Sequence, residues 1–309
     1  MNGPILSRRK TLGVGVASLA TPLLASFASA GDGEEPHIAT NTYPWRTFAK
    51  RAGHQYERHT DKLLGQIAGT GIAGYEPIVE APAELDGLEH RLNAHGLQMR
   101  SIYVNSVLHD EAKVEESVAG VINIAKHAKA LGTRIVVSNP SPIRWGGSED
   151  KTDPQLRLQA KSLDSLGREL RGLGVTLAYH NHDAELRQGG REFHHMLTAT
   201  DPKNVKFCLD AHWVYRGCGN SEVAVFDALE HYHDRIVELH LRQSNQGVWT
   251  ESFAMTGDIN YQRLFDYLVD RSIRPHLVLE QAVEEGTPNE HSVVDAHRTS
   301  HRNLRKVFT

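Results

Sequence analysis

A chain of 309 residues has room for one large α/β domain or two ordinary ones, and its 39% hydrophobic and 23% charged residues are the balance of a globular protein. The formal net charge of −4 leaves no basic field for a phosphate backbone, which excludes nucleic acid as an expected partner. Two cysteines, Cys208 and Cys218, cannot build a disulfide scaffold, although an oxidising compartment would let them pair.

The first thirty residues differ from the rest. SRRKTL (7–12) precedes the weakly apolar GVGVASLATPLLASF, and ASA (28–30) leads into the polar GDGEEP. A charged start, an apolar middle and a small-x-small end describe an export signal, with cleavage expected after Ala30. The paired arginines resemble a twin-arginine signal, with Thr11 where phenylalanine is usual. The apolar stretch is short and rich in Gly, Ala and Ser, so no stable membrane insertion is expected and a periplasmic location is.

From residue 37 onward, short apolar runs alternate with longer helical patterns. The predicted strands are HIATNTY (37–43), GIAGYE (71–76), LQMRSIYV (97–104), RIVVSN (134–139), VTLAYH (175–180), VKFCLD (205–210), RIVELH (235–240) and HLVLEQ (276–281). Such runs, bounded by turn residues, suit strands buried on both faces of a parallel sheet. Between them, 110–132 and 153–174 show helical periodicity, the latter with Asp153 as its expected N-cap, and 258–268 is expected to start from a cap at Asp258. Eight strand–helix units in roughly 270 residues predict a single closed (β/α)₈ TIM barrel over 31–309. A doubly wound open sheet would need a glycine-rich phosphate loop after its first strand, and ATNTYPWRTF contains none.

Barrel enzymes place their chemistry at the C-terminal ends of strands. The last four predicted strands end in His180, Asp210, His240 and Glu280, at intervals of 30, 30 and 40 residues. Two imidazoles and two carboxylates from adjacent strands form a ligand set for one divalent ion such as Mn²⁺, Co²⁺, Zn²⁺ or Mg²⁺. His182 shares a face with His180 and is an alternative ligand; His180 is preferred as level with the other strand ends. Glu280 is a candidate base as well as a ligand, and His182 a candidate acid or base. Glu76, ending strand two, is a third catalytic candidate. Arg242, Trp213 and Arg216 are candidates to wall a substrate pocket, and Asn139 and Lys151, which flank the long loop after strand four, are further substrate-binding candidates. A G-x-S-x-G elbow, a P-loop and structural-zinc cysteine spacing are all missing.

The motifs GYEP, VTLAYHNHDAE, KFCLDAHW, VELHLRQS, TGDI and LVLEQA resemble the sugar phosphate isomerase/epimerase family with the xylose-isomerase-like barrel. That resemblance implies one metal ligand on each of strands five to eight, usually Glu, Asp, His and Glu, falling here on His180, Asp210, His240 and Glu280. His180 replaces the usual glutamate. Epimerases of the family are understood to use the two glutamates as opposed bases, and a metal-bound imidazole has no spare lone pair, so one-base chemistry is favoured over epimerisation. The expectation is an exported isomerase-type enzyme, working on a sugar or keto-sugar through an enediolate-like intermediate. The alternatives are a lyase or hydrolase that opens 3-keto-glycosides by elimination and a non-catalytic sugar-binding protein. A homo-oligomer is compatible with the sequence.

Overall fold

A computed structural model of the chain describes residues 36–309. The expected export signal, with its cleavage point after Ala30, lies outside them.

The described residues form ten strands: β1 (Ile38–Asn41), β2 (Gly74–Glu76), β3 (Ser101–Ser106), β4 (Ile135–Pro140), β5 (Thr176–His180), β6 (Val205–Asp210), β7 (Ile236–Leu241), β8 (Ser244–Asn245), β9 (Val248–Trp249) and β10 (His276–Leu279). All but β8 and β9 belong to one sheet in the order β2-β1-β10-β7-β6-β5-β4-β3, and every pairing in it is parallel. Its two edges meet through backbone bonds: Tyr75 N–H to the Gln98 carbonyl, Tyr103 N–H to that of Pro77 and Val79 N–H to that of Tyr103, each 2.9 Å. Closure removes the sheet edges and makes the TIM barrel expected from the strand–helix count.

The short pair β8–β9 is antiparallel and sits over the mouth after β7. Asp258, the expected cap of the next helix, instead holds this hairpin. Its carboxylate accepts from the Ser244 hydroxyl at 2.6 Å and from the backbone N–H groups of Gln246 and Gly247 at 2.9 and 2.8 Å. The helix Tyr261–Asp270 is capped by Asn260. A similar shift occurs at the helix Asp153–Gly172, where Thr152 is the N-cap and Gln155 Oε1 accepts from its N–H and hydroxyl at 2.8 and 3.0 Å.

The core has two parts. Leu156, Ala160, Leu163, Leu166 and Leu170 face the barrel from that helix, as the periodicity requires, within the apolar layer between strands and helices. Inside the barrel, Tyr103, Ile135, Val137, Ala178 and Cys208 form a smaller apolar group. Among the described residues, no helix is long and apolar enough to cross a membrane.

A candidate metal centre at the barrel mouth

The pairing register is staggered across β5 to β7. His180 pairs with Cys208, two residues before Asp210, whereas Asp210 pairs with His240. The strand ends are thus offset in register, and the tilt of barrel strands, about 36°, brings residues two apart in register to one height. His180, Asp210, His240 and Glu280 still converge: one donor atom from each lies within 4.8 Å of the others. His180 Nε2 is 3.8 Å from Asp210 Oδ2, His240 Nδ1 is 3.5 Å from Glu280 Oε2, and the two imidazole centres are 4.7 Å apart.

Each donor is oriented by its strand end. Asp210 starts the helix Ala211–Gly217 as its N-cap, its Oδ1 accepting from Trp213 N–H at 2.8 Å, so Oδ2 is left for the centre. Asn181 clamps the Asp210 backbone from both sides, donating to its carbonyl at 3.1 Å and accepting from its N–H at 3.2 Å. Arg242 holds Glu280 through the backbone carbonyl at 2.9 Å and Oε2 at 2.7 Å.

The electrostatics are compatible with a bound cation. Both ring nitrogens of His180, both of His240 and Asp210 Oδ2 are buried without hydrogen-bond partners. Such orphaned atoms are costly, and a divalent ion would satisfy several at once. Burial, reinforced by the neighbouring His240, holds His180 well below the usual imidazole range, so one ring nitrogen keeps a free lone pair. Burial pushes Asp210 up to about 7 against the pull of Arg242. Burial also works to raise Glu280, but Arg242 and His240 outweigh it and bring the carboxyl down to about 2. His240 is raised well above its ordinary value despite burial, by Cys208, Glu76 and Glu280.

The other expected site residues divide into two groups. His182 lies just beyond β5 with its ring 4.8 Å from that of His180, between Trp145 at 5.1 Å and Trp213 at 5.6 Å. Burial lowers it to about 4, so it is a neutral imidazole near pH 7, with Nδ1 unpartnered. Arg242 lies over an aromatic wall, 4.2 Å from the Trp249 ring centre and 5.0 Å from that of Trp213, with its Nη1 unpartnered. His182, Arg242 and Trp213 face the centre.

The second group supports it. Arg216 stacks on Trp249 at 4.5 Å and donates to Glu284 Oε2 and the Gly247 carbonyl, both at 2.8 Å, bracing the hairpin. Asn139 donates to the His180 carbonyl at 3.0 Å and to Glu185 at 3.1 Å. Lys151 is buried in an ion pair with Glu192 at 2.5 Å. Glu76 lies inside the barrel, held by Asn41 and Ser101 at 2.6 Å each, with Oε1 3.0 Å from His240 Nε2. Residues not singled out in the sequence also matter here. Glu238 and Cys208 share the inward faces of His240 and Asp210, an alternation that could have revealed them, whereas Tyr43 opens the helix Thr42–Arg51 and Trp249 lies in the two-residue strand β9, too short to carry a pattern.

A closed parallel barrel with its polar donors gathered at the C-terminal mouth defines a class, and the family model for xylose isomerase-like TIM barrels matches residues 64–306; the chain belongs to that family. Its relatives include an inosose dehydratase of Histophilus somni (strain 129Pt), 21% identical over 258 residues, 75% of this chain and 86% of that one. Another, from Geobacillus kaustophilus (strain HTA426), is 24% identical over 199 residues, 61% of this chain and 63% of that one. Among solved structures, a sugar phosphate isomerase/epimerase from Parabacteroides distasonis matches with a TM-score of 0.68 at 15% identity, covering 91% of this chain and 97% of that one. The E. coli 3-keto-D-glucoside 4-epimerase matches at 0.66 and 14% identity, covering 88% and 100%.

Proposed function

We propose that the protein is a divalent-metal-dependent enzyme that removes a proton beside the carbonyl of a keto-sugar or keto-cyclitol and eliminates the group on the next carbon. The observation that carries the reading is the buried set His180, Asp210, His240 and Glu280, with donor atoms within 4.8 Å of one another and several unpartnered. A bound divalent ion would supply Lewis-acid stabilisation of negative charge developing on substrate oxygens.

The protein's own groups account for the rest. Glu280 is the one carboxylate of the set held by a guanidinium, and it is ionised at all ordinary pH values. It takes the proton from carbon, and the electron pair moves to the carbonyl oxygen to give an enediolate-like species. Arg242, with Nη1 unpartnered, is placed to hydrogen-bond that oxygen. When the carbonyl reforms, the leaving hydroxyl departs from the adjacent carbon with the proton that Glu280 took up. His182, neutral near pH 7, holds a substrate hydroxyl through its ring nitrogens. Trp213 offers an indole face to the ring of the substrate.

Two sequence relatives named inosose dehydratase support elimination over isomerisation. Isomerisation is the second reading, because a neutral imidazole at 182 can return a proton from another direction than Glu280. The paired arginines and apolar segment ahead of residue 31 support export to the periplasm, and with it a non-phosphorylated substrate.

The test is incubation of manganese-loaded protein with a 2-keto-cyclitol, a 3-keto-glycoside and a free ketose in deuterated water, followed by NMR. Elimination predicts deuterium exchange beside the ketone together with an unsaturated or rearranged product, and Glu280→Gln should reduce both by roughly 10³-fold or more while the fold persists. Net aldose–ketose conversion would establish the isomerase instead. A metal-loaded protein with no exchange on any of the three would contradict the proposal.

A further inference from the structure

Beneath the mouth, the barrel interior holds a second donor group that the proposed chemistry leaves unused. Glu76 on β2, Cys208 on β6 and Glu238 on β7 are wholly buried. Glu76 and Glu238 gather around the inner nitrogen of His240, with Cys208 beside them. Nε2 lies 3.0 Å from Glu76 Oε1 and 3.3 Å from Glu238 Oε1, yet it makes a hydrogen bond to neither. Cys208 Sγ is 3.8 Å from Glu238 Oε1 and within 4.8 Å of one nitrogen each of His240 and His180, so it borders both groups.

Two features point to a cation here. Donor atoms bound to one ion at about 2.0–2.3 Å stand roughly 3 to 3.7 Å apart, the spacing found around Nε2. Charge balance leads the same way. Two carboxylates lie in the interior beside an apolar group, and their ion-pair contacts come from imidazoles, His240 and, at 3.2 Å from Glu238, His276. Buried carboxylates need more compensation than shared imidazoles supply, and a divalent ion provides it.

We propose that Glu76, Cys208, Glu238 and His240 Nε2 form an inner divalent-cation site, joined to the centre at the mouth by the His240 ring. A thiolate, an imidazole and two carboxylates suit zinc or cobalt better than magnesium or calcium. Coordination at Cys208 and at both ring nitrogens releases the thiol and imidazole protons to solvent. The inference rests on the outer centre only in sharing His240 with it.

Cobalt separates the two sites. Metal-free protein is titrated with Co²⁺, passed through gel filtration, and assayed for bound cobalt and for absorption. The expected result is about two Co²⁺ per chain and a sulphur-to-cobalt charge-transfer band in the near ultraviolet. Cys208→Ser should lose the band and one of the two ions, whereas Asp210→Asn should lose the outer ion and keep the band. About one Co²⁺ per wild-type chain without the thiolate band would overturn the inner site and leave the outer centre standing, with a shared proton holding the two carboxylates together. No cobalt at all would overturn both.

Discussion

Asp210 serves two structures with one carboxylate: Oδ1 caps a helix and Oδ2 faces the centre. Burial raises the group to about 7, so its contribution to the metal-free fold is fully present at acid pH and is lost as pH rises through about 7. Metal uptake has the opposite sign. Below about pH 7 an ion must displace the Asp210 proton as well as the one that His240 favours, and its apparent affinity should fall by at least about tenfold per pH unit. Calorimetric titration of metal-free protein with Mn²⁺ at pH 5.5, 6.5 and 8 checks this, and an affinity flat across that range would contradict it. The four donors at the mouth were legible in the sequence because each ends an apolar run. The choice between His180 and His182 was not decidable by alternation, since the two share a face. Glu238 was readable in principle, two residues from His240, but attention to strand ends alone passed over it. The place of Arg242 and Trp213 at the barrel mouth was legible, whereas the engagement of Lys151 with Glu192 depends on a fold contact 41 residues away.

At the scale of elements, strand and helix positions followed from apolar periodicity, and the caps did not. Asp153 and Asp258 both looked like N-caps; each lost that place to a neighbour, and Asp258 was recruited by a hairpin whose strands, two residues each, are too short to carry a pattern. The register offset between strands also escaped the sequence, because stagger belongs to the closed sheet. Helix packing offers a sharp test at Gly167, in the middle of Asp153–Gly172. A Cβ there would come within 2.2 Å of the Asn204 carbonyl oxygen and 2.7 Å of its carbon. Alanine gains up to about 1 kcal/mol in helix propensity over glycine, but backbone cannot swing aside as a side chain can, and overpacking costs about 1–3 kcal/mol. Gly167→Ala is therefore expected to lower the melting temperature by several degrees. An unchanged or higher value would show that the helix and the β6 approach can separate freely.

For the whole molecule, closure of the barrel is what turns residues 100 positions apart into one site. β10 lies between β7 and β1, so Glu280 is delivered beside His240 and close to the first strand, where Tyr43 follows. The hairpin β8–β9 adds Trp249 from above, and the loop after β4 adds Trp145 against His182. Fold class and the strands that bear the site were expected from strand count and spacing, and membership of the xylose isomerase-like family agrees with them. Of the aromatic cover Trp213 was expected, but Tyr43, Trp145 and Trp249 were not, because segments that meet only in the closed structure leave no shared periodic trace. The most direct measurement is anomalous X-ray scattering from crystals of the manganese-loaded protein. The account predicts an anomalous peak at bonding distance, about 2.0–2.3 Å, from His180, Asp210, His240 and Glu280 together. A peak elsewhere alone, or none at that position in protein shown to contain manganese, would contradict it.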